Sequence, residues 1–125
     1  MSSRPVFTPY QVITNGDMSS PIISAVTIVK MLSQISYDIS WTGSNPLGSF
    51  SVQVSNTYSQ NSDGTVANPG NWTTLTLSTP ATATGTASNG FIDIDATGAY
   101  AMRLIFTPSG GSSGTLNATI AAKVA

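Results

Sequence analysis

The sequence contains no histidine, no cysteine and no glutamate. Each absence removes a class of chemistry. A serine nucleophile lacks the imidazole base that would activate it. Structural zinc lacks its usual nitrogen and sulfur ligands. No disulfide framework and no thiolate are available. Charge is also scarce: Lys, Arg and Asp make up 7% of the chain, where a soluble domain carries roughly 25%. The net charge is −1, and the basic residues Arg4, Lys30, Arg103 and Lys123 are scattered. Phosphate backbones are held in proportion to the cations that neutralise them, so no nucleic-acid partner is expected. No membrane is expected either. The longest apolar-leaning stretch, Pro21 to Leu32, is too short to span a bilayer and holds Ser24, Thr27 and Lys30. The start, Met1 to Pro5, has one basic residue and no apolar run behind it, unlike a secretory signal. The expectation is a non-enzyme with no cofactor, no metal and no catalytic residue.

What is present is strand. The 125 residues suit one domain, and 40% of them are hydrophobic. Ile35, Tyr37, Ile39 and Trp41 alternate with Ser36, Asp38, Ser40 and Thr42. Phe50, Val52 and Val54 repeat the pattern, as do Tyr100, Met102, Leu104 and Phe106, and then Leu116, Ala118, Ile120, Ala122 and Val124. A period of two gives one apolar and one polar face, and a slip of one residue would expose the whole apolar row. Weaker strands are expected at Val6 to Thr14, Trp72 to Leu77 and Phe91 to Ile94, and Ile22 to Met31 reads as a strand buried on both faces. No stretch has a convincing 3.6-residue repeat.

Turn residues separate the runs. Asn15-Gly16-Asp17 divides the first two strands, Gly43 to Gly48 reads as a hairpin-type loop, and Gly110 to Gly114 reads as a flexible hairpin between the last two strands. Asn61 to Gly64 and Asn68 to Asn71 punctuate a longer loop, and the Thr/Ala/Ser run from Ser78 to Ser88 reads as a surface connection. The predicted fold is all-β: a two-sheet antiparallel sandwich of jelly-roll or Greek-key connectivity, with about eight strands and an extended N-terminal arm. Residues 1–20 form the arm and first strand, and residues 21–125 the β-sandwich domain, one domain overall.

Candidate chemistry is sparse. Asp93 and Asp95 share one face of a strand, but Ile92 and Ile94 would then face the core and leave both carboxylates in water. Asn61 to Gly64, or Asp17 with a neighbouring loop, offers oxygen ligands for calcium, and an Asx-type turn explains the same residues. Trp41, Tyr37 and Tyr100 lie on apolar rows and are expected in the core. Trp72 and Tyr58 flank the long loop and are the better candidates for exposure, as a sugar-stacking platform or a subunit contact. The segment Arg4-Pro5-Val6-Phe7-Thr8-Pro9-Tyr10 is stiffened by two prolines and carries apolar anchors. It would either cap its own sandwich or lie across a neighbouring subunit as an added strand. The candidate interface residues are Arg4, Phe7, Tyr10, Tyr58 and Trp72.

Taken with the size, the scarce charge and the apolar arm, two segment pairs carry a resemblance. They are Tyr37 to Gly43 with Ser51 to Asn56, and Ala99 to Phe106 with Gly114 to Lys123. The chain resembles the small β-sandwich virion proteins of tailed bacteriophages, capsid decoration or cement proteins above all. The same segments also look like strands of discoidin-type and carbohydrate-binding sandwiches. The first resemblance implies a protein made in the host cytoplasm and carried on the capsid surface of the virion. It implies the major capsid protein as partner, a homo-oligomer with a trimer favoured, and stabilisation of the head as the task. A tail, fibre or baseplate module, or a carbohydrate-binding module, is the alternative. Deleting residues 1–10 is expected to weaken attachment and leave the sandwich folded.

Overall fold

The computed structural model describes residues 9–29, 34–77, 81–94 and 99–123. Its strands are β1 (Tyr10–Asp17), β2 (Ile22–Ile23), β3 (Thr27–Ile28), β4 (Gln34–Asn45), β5 (Leu47–Ser55), β6 (Ser59–Gln60), β7 (Val66–Asn68), β8 (Thr73–Thr74), β9 (Thr82–Thr84), β10 (Ser88–Ile94), β11 (Ala101–Pro108) and β12 (Ser113–Lys123). The first sheet has the order β1-β12-β4-β10. The second runs β2-β11-β5-β8, with β3 also on β11 and β9 also on β5. All pairings are antiparallel.

Two of these edges are single strands broken in the middle: β2 with β3, and β8 with β9. The β6–β7 hairpin is a loop decoration. Counted that way, eight stretches remain, and their spatial orders are 1-8-3-6 and 2-7-4-5. Those interleaved Greek keys are a jelly roll, one of the two connectivities the sequence predicts.

The alternating rows point as expected. Ile35, Tyr37, Ile39 and Trp41 of β4 and Leu116, Ala118 and Ile120 of β12 are buried, facing Phe50 and Val52 of β5 and Met102, Leu104 and Phe106 of β11. Aromatic rings bridge the two layers. Trp41 stacks on Phe50 at 5.3 Å, and Phe50 tilts against Phe106 at 5.0 Å. The Trp41 indole N–H donates to Thr86 O at 3.0 Å, so the buried ring keeps a hydrogen bond.

Several local expectations change. Gly43 to Gly48 and Gly110 to Gly114 are not hairpins. β4 and β5 belong to different sheets, and so do β11 and β12. Each loop carries the chain from one sheet across to the other. The two crossings lie side by side: Leu47 N–H donates to Ser112 Oγ at 3.0 Å, Asn45 Nδ2 donates to Gly111 O at 3.0 Å, and Ser109 N–H donates to Leu47 O at 3.0 Å. Gly43 and Gly114 have φ of +128° and +147°, and a methyl built on Gly43 falls 2.5 Å from Gly114 Cα. Only glycine allows that approach.

The stretch Ile22 to Met31 is not a strand buried on both faces. Within its described part it is an interrupted edge, and Ile23 is 59% exposed. The Ser24 side chain fills the interruption. Leu104 N–H donates to Ser24 Oγ at 2.8 Å, replacing the carbonyl of a continuous strand, while Ser24 N–H donates to Leu104 O at 2.9 Å. Asn15 and Gly16 do not end the first strand. They lie in β1, which carries two register shifts against β12. The first shift explains how neighbouring Val12 and Ile13 are both buried, since a bulge lets consecutive residues turn inward. Asn15 adopts φ +50° there, and its N–H donates to Asn117 Oδ1 at 2.9 Å.

Candidate interaction surfaces

Of the sequence-predicted interface residues, Arg4 and Phe7 lie outside the described residues. Tyr10 opens β1, pairs with Ile120, and is 47% exposed. Its hydroxyl lies 3.2 Å from Thr27 Oγ1 on β3, so it laces the edges of the two sheets together.

Tyr58 and Trp72 do meet, at 5.7 Å between ring centroids, but not as an open platform. Tyr58 is buried at 6% exposure. Trp72 is half-buried, with the Arg103 guanidinium 4.1 Å over its ring. Arg103 Nε in turn donates to Gln53 Oε1 at 2.9 Å, and the Trp72 N–H donates to Pro69 O at 2.8 Å. Ser55 Oγ accepts the Thr57 and Tyr58 N–H groups. The cluster fastens the long loop and its β6–β7 hairpin onto the outer side of the second sheet. A sequence-local reading placed these aromatics in a loop and so in water. It had no means of seeing that β5 and β11 pass beneath them.

The acidic loops are closed on themselves. Asp63 Oδ1 accepts from Thr65 N–H at 3.0 Å and Thr65 Oγ at 2.6 Å. Asp17 Oδ1 accepts from Ser19 N–H at 2.9 Å and Ser19 Oγ at 2.7 Å. These bonds stabilise the ionised form and hold both carboxyls below their ordinary range. Among the described residues no three acidic side chains converge. Asp93 is exposed while Ile92 and Ile94 are buried; Asp95 lies outside the described residues.

The first sheet's outer face carries a depression of about 310 Å³ lined by Asp38, Ile39, Ser40, Asn89, Asn117 and Thr119. Strand register builds it: Asp38 stands opposite Phe91 on one side and Thr119 on the other, and Ser40 stands between Asn89 and Asn117. A carboxylate, two amides and two hydroxyls sit beside a phenyl ring. Sequence reasoning missed this set because its members come from three strands more than 75 residues apart at the extremes (Asp38 to Thr119).

Among the described residues, the large apolar side chains that remain exposed are Tyr10, Ile23, Val66 and Phe91. Tyr10, Ile23 and Phe91 lie on sheet-edge strands and Val66 on the β6–β7 hairpin; the central strands β4, β5, β11 and β12 contribute none. The apolar surface is thus concentrated where backbone hydrogen-bonding groups are also unpaired.

This is a jelly-roll β-sandwich, an architecture that serves viral capsids and lectins alike. No family model matches the sequence, and no curated protein matches it. Solved structures do share the fold. The crystal structure of the SPBc2 prophage-derived protein YomS matches with a TM-score of 0.57 over 98% of this chain and 97% of that one, at 13% identity. The structure of infectious bursal disease virus, Gx strain, matches with a TM-score of 0.51 and 13% identity, again over 98% of this chain. There the match spans 33% of the longer chain. Both similarities are of fold.

Proposed function

We propose that this chain is a structural virion protein, and more specifically a capsid decoration protein. It binds the outer surface of the major capsid protein and stabilises the head. The observation that carries the reading is the combination of jelly-roll topology with a surface nearly free of charge, whose exposed apolar side chains gather at the edges. Such a surface favours lattice contact over free solution or acid–base catalysis. The prophage and virus sources of the structural neighbours support it. Repetition over a symmetric lattice turns weak contacts into firm attachment, so no single deep site is required, and the molecule acts as no enzyme.

The test is direct. Purified protein is mixed with undecorated heads, and bound copies are counted after sedimentation. Saturation at a number set by head symmetry, with a rise in the heads' melting temperature, is expected. Attachment to tails, or at a few copies per particle, replaces decoration with a tail or baseplate role. The arm is tested by removing residues 1–8, because Tyr10 belongs to β1 and a cut at residue 10 would damage the sandwich.

A second reading, glycan binding, rests on the Asp38–Asn89–Asn117 depression beside Phe91 rather than on Trp72 and Tyr58. Carboxylate and amide groups next to an aromatic face suit sugar hydroxyls and C–H bonds. Binding on a glycan array that Asp38→Ala abolishes supports this reading. An array with no binders removes it.

A further inference from the structure

Among the described residues the two main sheets present four edges, and three are blunted. β1 carries two bulges, β2 with β3 is interrupted at Ser24, and β8 with β9 is interrupted between two very short pieces. Bulges and short edge strands are the usual protections against strand-to-strand pairing. β10 has neither. It pairs with β4 in unbroken register from Ser88 to Ile94, it contains no proline and no lysine, and among the described residues its other edge pairs with nothing. At its centre Phe91 is 58% exposed on an otherwise polar face.

We propose that β10 is a self-pairing edge. Two copies align their β10 strands antiparallel about a two-fold axis at Phe91, which joins two four-stranded sheets into one. The sequence is self-complementary in that register. Residues directly opposite in an antiparallel pair point to the same face, so outward residues must meet outward residues. Centring on Phe91 satisfies this and engages all seven residues of the strand. Phe91 then meets Phe91 of the second copy, Asp93 meets Asn89, Ile92 meets Gly90, and Ile94 meets Ser88. Centring on Asp93 instead sets two carboxylates face to face and pairs only three residues. The favoured register therefore covers the exposed phenyl ring and opposes no like charges. A two-fold contact of this kind is isologous and closes on itself. It makes a dimer the smallest assembly, in place of the trimer expected from sequence. It does not depend on the capsid-binding reading.

The absence of cysteine makes the test clean, because each variant carries a single thiol. Opposed residues in an antiparallel pair have Cα atoms about 4.5–5.5 Å apart, within reach of a disulfide. Phe91→Cys alone is expected to give a covalent dimer on mild oxidation. Asn89→Cys alone and Asp93→Cys alone are not, since each would face its own copy four residues away, about 13 Å along the strand. Mixing those two variants is expected to restore cross-linking. As a second readout, wild-type protein is expected at twice the 12.9 kDa chain mass by light scattering, and Phe91→Lys at the monomer mass with an unchanged circular dichroism spectrum. A monomeric wild-type protein at 100 µM overturns the proposal. So do equal cross-linking by all three single variants and a trimer that Phe91→Lys leaves intact. The last result points to strand exchange through residues 1–8.

Discussion

Single side chains in this protein act mostly by satisfying or failing to satisfy backbone and hydroxyl groups. Ser24 Oγ takes the Leu104 N–H in a buried setting. Ser24→Ala strands that donor away from water and is expected to cost about 1–3 kcal/mol in urea unfolding. Tyr37 is the opposite case. Its ring is fully buried and its hydroxyl has no hydrogen-bond partner among the described residues. Tyr37→Phe is expected to be neutral or to stabilise by up to about 1 kcal/mol. Burial first, and the Tyr10 hydroxyl second, push the Tyr37 hydroxyl well above its ordinary value. The native state therefore holds that proton at pH values where the unfolded chain, with a tyrosine pKa of about 10, releases it. The sign follows: stability is intact below about pH 10 and falls as pH rises beyond it. Tyr37→Phe removes this component, so its melting temperature should decline less than that of wild type between pH 9 and pH 11.

At the scale of elements, the two tight acidic turns respond to pH in the other direction. Asp17 and Asp63 are held below the ordinary carboxylate range by their own loops. Each turn is therefore firm above that range and loosens as pH falls through the lowered value. The Ser19 and Thr65 amide resonances should shift with acid midpoints below those of free aspartate, and Asp17→Asn or Asp63→Asn should abolish the corresponding midpoint. The long loop behaves as its own unit, because it is held to the second sheet chiefly through Trp72 and Tyr58. Trp72→Ala removes the ring under Arg103 and beside Tyr58. Faster proteolytic cleavage between Asn56 and Asn71 is expected, with little change in the unfolding of the sandwich, since local opening needs less free energy than global unfolding. Gly43→Ala is expected to destabilise the whole fold, because the clash at Gly114 lies where both sheet crossings meet.

The whole molecule is built from distant pairings. β1 pairs with β12, setting Tyr10 beside Ile120, so the chain must close nearly its full length before the first sheet is complete. Closing large loops precedes any gain from the contacts, and refolding is expected in the millisecond-to-second range typical of β-sandwiches. The sparse charge has its own consequence at this scale. If the chain decorates a capsid as proposed, its attachment should change less than about tenfold between 50 mM and 1 M NaCl, because few ion pairs are available for screening. A steep salt dependence in a head-binding assay would show that the few charges of this chain carry the contact.

The alternation of Ile35, Tyr37, Ile39 and Trp41 with small polar residues fixed strand type, register and inward face before any fold was known, because a half-buried sheet imposes a period of two on its own sequence. The same local rule settled Phe50 and Val52, Met102 to Phe106, and Leu116 to Ile120. It placed Asp93 in water beside buried Ile92 and Ile94. The jelly roll was one of the two connectivities that the strand pattern predicts. Which strands lie side by side is a property of space, and only the tertiary structure decided it. That is why Gly43 to Gly48 and Gly110 to Gly114 read as hairpins but are crossings between sheets. It is also why Tyr58 and Trp72 read as exposed but pack against each other, with Arg103 over the Trp72 ring. The polar depression and the unblunted β10 edge depend on the same adjacency. Each is made by residues whose neighbours across the sheet come from remote parts of the chain, and period-two patterning carries no record of which strand lies next door.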